Sequence, residues 1–119
     1  RRHEICSSAM YAGLESMGLS LFADEVFRSR TVVVVNNPSG VGDREVRRIM
    51  KERYGVLITG GFGPLSGKVL RIGIMGTVSR KEVILTLIAL GGSLLNLGYK
   101  IDLKSGISAA LDILDKGGI

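Results

Sequence analysis

The sequence predicts an α+β fold, a short and mostly antiparallel sheet with helices packed on one face. Three observations carry that expectation. The segments read, in order, as helix, strand, strand, helix, strand, strand, helix, helix. The strand-like runs are short, and they lack the regular alternation with helices that a parallel sheet requires. With 119 residues and 45% hydrophobic composition, the chain has material for one compact core, so residues 1–119 are expected to form a single domain.

The first helix is expected over residues 2–17, where Cys6, Met10, Gly13, Leu14 and Met17 recur at helical spacing and Gly18 offers a left-handed end. Residues 19–22 alternate as a short strand, and the polar residues 23–30 read as a connection with room for a helical turn. Residues 31–35 are a β-branched run, too short for a helix and suited to a buried strand. Asn36, Asn37, Pro38, Ser39 and Gly40 then form a strong turn signal.

Helical spacing returns over residues 43–54. Val46, Ile49 and Met50 form the apolar side, with Arg44, Arg47, Arg48 and Lys51 away from it, and Gly55 ends the helix. That basic face reads as solvated helix surface. Residues 56–58 suggest a short strand and residues 68–75 a clear one. In the second, Leu70, Ile72 and Ile74 point one way while Val69, Arg71, Gly73 and Met75 point the other.

Ser79 and Glu82 have capping-box spacing, opening a helix over residues 80–97 that is apolar nearly all round. The helix is shorter than the ~20 residues of a membrane span. Gly91 and Gly92 are expected to interrupt it, so it reads as a central buried helix. The last helix is expected to be capped by Ser105, to carry Ile107, Ala110, Leu111 and Leu114 on one stripe, and to close at Gly117.

The formal charge of +5 raises nucleic acid as a partner. The 16 Lys and Arg are scattered, however, and with 5% aromatics and no tryptophan the stacking surface of single-strand binders is largely missing, so no nucleic-acid or membrane partner is expected. One cysteine, Cys6, excludes an internal disulfide, suits a reducing compartment and reads as a small buried hydrophobe. One histidine and one cysteine assemble no metal site. The chain opens inside a helical pattern at Arg1 with no initiator methionine, which leads us to expect a piece of a longer protein.

Gly67-Lys68 invites a phosphate-loop reading, which fails on residues and context. The first glycine of that loop would stand where Phe62 is, Val69 replaces the magnesium-binding hydroxyl, and a strand follows where a helix should open. Arg71 survives as the candidate site. An arginine flanked by Leu70 and Ile72 in mid-strand is costly to bury without an anion, and Gly73 on its face leaves room for one to approach. Its planar fork suits a carboxylate. From these residues alone, a ligand carboxylate and an internal Asp or Glu remain equally open.

The stretch from Tyr54-Gly55-Val56 through Gly60-Gly61-Phe62-Gly63-Pro64-Leu65-Ser66-Gly67-Lys68-Val69-Leu70-Arg71-Ile72-Gly73-Ile74-Met75-Gly76 resembles the C-terminal small domain of class V, fold-type I aminotransferases of the alanine–glyoxylate and serine–pyruvate kind. Residues 12–19, the Pro38-Ser39-Gly40-Val41 loop, residues 78–83 and the Leu97-Gly98-Tyr99 exit follow the same pattern, so the resemblance covers nearly the whole chain. It implies a cytoplasmic, homodimeric parent enzyme that uses pyridoxal phosphate to move an amino group between a small amino acid and a 2-oxo acid. It also implies that Arg71 binds the substrate α-carboxylate and that Gly61 and Gly63 lie near the interdomain cleft. The Schiff-base lysine and the other cofactor-binding groups of that family belong to a large domain with no counterpart here. The chain alone is therefore expected to contain no catalytic, cofactor-binding or metal residue and to be inactive. The alternative is a free-standing regulatory module in which Arg71 binds an amino-acid effector.

Overall fold

The computed structural model describes residues 1–23, 32–74 and 78–119. Helix α1 spans Arg2–Ser16, strand β1 Val32–Asn36, helix α2 Asp43–Tyr54, β2 Thr59–Gly60, β3 Val69–Gly73, α3 Arg80–Asn96 and α4 Leu103–Lys116. A 3-10 turn, Gly63–Leu65, lies between β2 and β3. The sheet has strand order β1-β3-β2 and both pairings are antiparallel, which is the expected α+β class. Residues 24–30 of the expected connection, Thr31 and Met75 lie outside the described residues.

Register decides which side chains meet. Val33 stands opposite Ile72 and Val35 opposite Leu70, and all four are buried in one cluster with Met10 and Leu14 of α1, Val46 and Met50 of α2, and Leu87, Leu90 and Leu94 of α3. Burying each such side chain contributes about 1.5–3 kcal/mol, so this shared face holds helices and sheet together. Because successive strand residues face opposite ways, the same register turns Val34 and Arg71 to the other face.

Two strands differ from expectation. Residues 19–22 form only an isolated bridge, Leu21 to Val35, at the outer edge of β1. The strand expected at 56–58 begins instead at Thr59, and α2 explains the delay. Gly55 ends that helix in the left-handed conformation, with its own amide on Lys51 O and the Val56 amide on Met50 O at 3.1 Å. The Val56 amide is committed to closing the helix and is unavailable to a ladder.

The helical pair also departs from the sequence reading. Helix α3 runs unbroken through Gly91 and Gly92. A Cβ on Gly91 would sit 2.6 Å from Leu103 Cδ1, and one on Gly92 would sit 2.1 Å from the Tyr54 hydroxyl. The glycines admit neighbours, and that packing offsets their cost of about 1 kcal/mol each in a helix. Nor is α3 covered all round, since Leu85, Ile88 and Leu95 are exposed. Its capping box is present, with the Ser79 amide donating to Glu82 Oε1 at 2.9 Å. Helix α4 starts two residues before Ser105. Asp102 is the cap, accepting from the Ser105 amide at 3.1 Å, and the Ser105 hydroxyl donates back at 2.7 Å. Aspartate and serine are comparable caps, and here the aspartate takes the role while the serine bonds to it. No described helix is long and apolar enough to cross a membrane.

Candidate functional site

Strand β3 lies between the other two, so its residue 71 has a neighbour on each side, Val34 of β1 and Thr59 of β2. Arg71 is half-buried on the face away from the core. Its Nε–H donates to the carbonyl of Gly60 at 2.8 Å, and the ring of Phe62 lies with its centroid 4.7 Å from Cζ. Ion pairs among the described residues include Arg47–Asp43, Arg48–Glu52 and Arg80–Asp115. Arg71 is in none of them. Among the described residues, the internal carboxylate that could have explained a mid-strand arginine is not present, and the fork is held by its hydrogen bond at Nε. A Cβ built on Gly73 would meet nothing within 4 Å, so approach along that face is open.

The glycine-rich segment returns its amides to the protein. Gly61 N donates to Val69 O at 3.1 Å, Leu65 N to Phe62 O at 3.2 Å, Ser66 N to Gly63 O at 3.1 Å and Lys68 N to Leu65 O at 2.9 Å. Amides spent this way are not available to a phosphate. Gly61 and Gly63 flank Phe62 and thereby adjoin Arg71.

The basic side of α2 is only partly solvated surface. Arg47 turns in to Asp43 at 2.8 Å, beneath Gly60, where a Cβ would stand 2.9 Å from Asp43 Oδ2 and 3.2 Å from Arg47 Cζ. This pair therefore packs against the residue whose carbonyl holds Arg71. A groove of about 320 Å³ beside it is lined by Arg44, Arg47, Arg48, Lys51 and Leu57. A larger one, about 650 Å³, runs between α3 and α4 past Ile88, Leu103, Ile107 and Leu111. Neither includes Arg71, which sits half-buried on the sheet face away from the core.

Lys51, Lys68, Lys81, Lys100, Lys104 and Lys116 are all exposed, whereas a lysine acting as a nucleophile near neutral pH needs a dry pocket. Among the described residues no group of three or more His, Cys, Asp or Glu is placed to hold a metal ion. Sequence reasoning located Arg71 and missed Gly60 and Phe62 as its partners. The available signal was an aromatic residue inside a glycine-rich loop that ends just before an arginine-bearing strand.

No family model matches the chain. It is 40% identical over 116 residues to an uncharacterized aminotransferase of Methanocaldococcus jannaschii, covering 98% of this chain and 30% of that protein. It is 37% identical over 118 residues to the (S)-ureidoglycine–glyoxylate transaminase of Bacillus subtilis, covering 98% of this chain and 28% of the relative. The crystal structure of pyridoxamine–pyruvate aminotransferase from Mesorhizobium loti superimposes with a TM-score of 0.93 at 39% identity, over 98% of this chain and 30% of that one. The chain thus spans about 30% of the length of the relatives it matches.

Proposed function

The chain belongs to the class V aminotransferase family over the roughly 30% of those proteins' length that it spans, and on that premise we propose that residues 1–119 are the C-terminal small domain of such an enzyme. In this reading the domain supplies the contact to the substrate carboxylate through Arg71. The parent enzyme moves an amino group between a small amino acid, alanine or serine, and a 2-oxo acid, glyoxylate or pyruvate. Pyridoxal phosphate supplies the electron sink for that chemistry when bound, and residues outside this chain hold it. A cytoplasmic homodimer is the assembly this reading expects.

The observation that carries the proposal is the state of Arg71. A guanidinium fixed at Nε, without a carboxylate partner among the described residues, is a preformed half of a bidentate pair. Two features support the further view that the chain alone does not turn over. Every lysine is exposed, and Arg71 is only half-buried, so water competes with any ligand.

The test is to express the uninterrupted reading frame that contains these residues, and separately the 119 residues alone. We expect a longer product that binds pyridoxal phosphate and transaminates, in which Arg71→Ala raises KM for both substrates by about tenfold or more. The 119 residues with added cofactor should do neither. A reading frame that stops at this length would instead favour the free-standing module that binds an amino-acid effector.

A further inference from the structure

We propose that Phe62 is a positioning residue for Arg71, and that the glycine-rich loop serves to hold its ring on the guanidinium so that the terminal nitrogens are aimed at a small monocarboxylate. This rests on the reading of Arg71 as a carboxylate site and deepens it.

Phe62 is 71% exposed, so core burial does not explain where its ring sits. The ring lies 4.7 Å from Arg71 Cζ, inside the range over which an aromatic face attracts a cation. A guanidinium is poorly hydrated on its faces and donates only in its plane. A ring on one face therefore costs the arginine no hydrogen bond, and it shields the charge from water on that side. The Gly60 carbonyl acts in the plane, on Nε. The two constraints are independent: one limits rotation within the plane and the other limits tilt. Together they leave one edge, the two terminal nitrogens, as the site of further hydrogen bonding. Ordering the fork before a ligand arrives removes part of the entropy cost of binding.

The loop is built to deliver the ring. A Cβ on Gly61 would lie 2.3 Å from Leu65 O and 2.8 Å from Val69 Cγ2, so only glycine fits before Phe62. Gly63, just after it, has φ +59, a conformation that side chains resist. Between them Phe62 is extended, at φ −132 and ψ 164, and its carbonyl accepts from Leu65 N. Backbone on both sides thus fixes the direction of the side chain. The exposed remainder of the ring forms an apolar wall beside the fork, which suits a carboxylate whose neighbouring carbon is small and uncharged.

The test uses the 119-residue chain and NMR of the Arg71 Nε–H, with pyruvate as the probe. In the wild type this proton should exchange slowly, show a ring-current shift, and move on titration with pyruvate. Phe62→Ala should speed its exchange, remove the ring shift, and weaken pyruvate binding by about two- to fivefold. Phe62→Tyr, which keeps the ring, should restore all three. Phe62 is solvent-facing, so neither variant threatens the core. Unchanged exchange and unchanged pyruvate affinity in Phe62→Ala, alongside loss in Arg71→Ala of pyruvate binding read from backbone amide shifts, would overturn this proposal and leave the carboxylate reading standing. No pyruvate binding in the wild type, or binding read from backbone amide shifts that persists in Arg71→Ala, would overturn that reading and this proposal with it.

Discussion

The Nε–H of Arg71 donates to the Gly60 carbonyl over 2.8 Å, so the arginine is tied to the neighbouring strand and, among the described residues, to no carboxylate. Lysine can supply the charge at position 71 but neither the Nε donor nor the planar fork. Arg71→Lys is therefore expected to lose carboxylate affinity by about tenfold or more, nearly as much as Arg71→Ala. Pyruvate titration of the chain, or KM in a longer product, reads the difference. A lysine variant within twofold of wild type would mean that charge alone does the binding.

Two glycines near that site should respond in opposite ways to alanine. At Gly61 the new methyl meets backbone, the Leu65 carbonyl at 2.3 Å, which cannot move without reshaping the loop. A loss of about 1–3 kcal/mol in urea unfolding is expected. At Gly73 nothing lies within 4 Å, and alanine restricts the unfolded chain more than glycine does. Gly73→Ala should be neutral or stabilising by up to about 1 kcal/mol. If both behaved alike, loop geometry would not be what demands Gly61.

Much of this arrangement was readable from residues, and the gaps have local causes. Helix α2 matched its expected bounds because an apolar stripe and a terminal glycine agree at both ends, Val46 to Met50 and Gly55. The strand at 56–58 shifted because the Val56 amide closes that helix, a competition that β-propensity does not register. Gly91 and Gly92 looked like a break because their partners, Leu103 and Tyr54, come from distant parts of the chain. Arg71 stood out as a charged residue in an apolar strand. Its partners did not, since placing Phe62 over it depends on the three-dimensional course of a loop whose residues read only as punctuation.

Helix α1 crosses α4 where Gly13 faces Gly106. A Cβ on Gly106 would lie 2.1 Å from Met17 Cγ and 2.8 Å from the Gly13 carbonyl. The second contact is backbone, so Gly106→Ala must push the helices apart, at an expected cost of about 1–3 kcal/mol despite alanine's better helix propensity. Gly92→Ala is the control. Its clash is with the Tyr54 hydroxyl, the far end of a side chain that can swing aside, so the change should be near neutral. Thermal melts of the two variants separate a backbone crossing from a movable neighbour.

Acid should weaken the last two helices at their caps. Hydrogen bonding from Ser79 holds the Glu82 carboxyl below its ordinary value of 4.5, and bonding from Ser105 does the same for Asp102 below 3.8. A depressed folded pKa means the stabilisation is complete above the ordinary value and is lost as pH falls through the folded one. Melting temperature should therefore decline below about pH 4.5, first through Glu82 and then through Asp102. Glu82→Gln and Asp102→Asn should start lower at neutral pH and decline less steeply. A double variant that declined as steeply as wild type would place the acid sensitivity elsewhere.

Cys6 tests how firmly α1 is held. It lies in the first half of that helix, where the helix dipole and Arg2 both favour a thiolate, yet it is fully buried in the core. Burial is the larger effect and pushes the thiol up, with Glu82 adding to the rise and Arg2 opposing it. The native thiol is thus both protonated and inaccessible, and it can react only when the helix opens. If that opening costs about 5 kcal/mol, as in a marginally stable domain, modification by an aromatic disulfide reagent at pH 8 should be at least about a thousandfold slower than in urea. A rate close to that of the unfolded chain would instead mean that α1 opens locally at little cost. Its buried contacts with α4 and the sheet would then not be what keeps the domain folded.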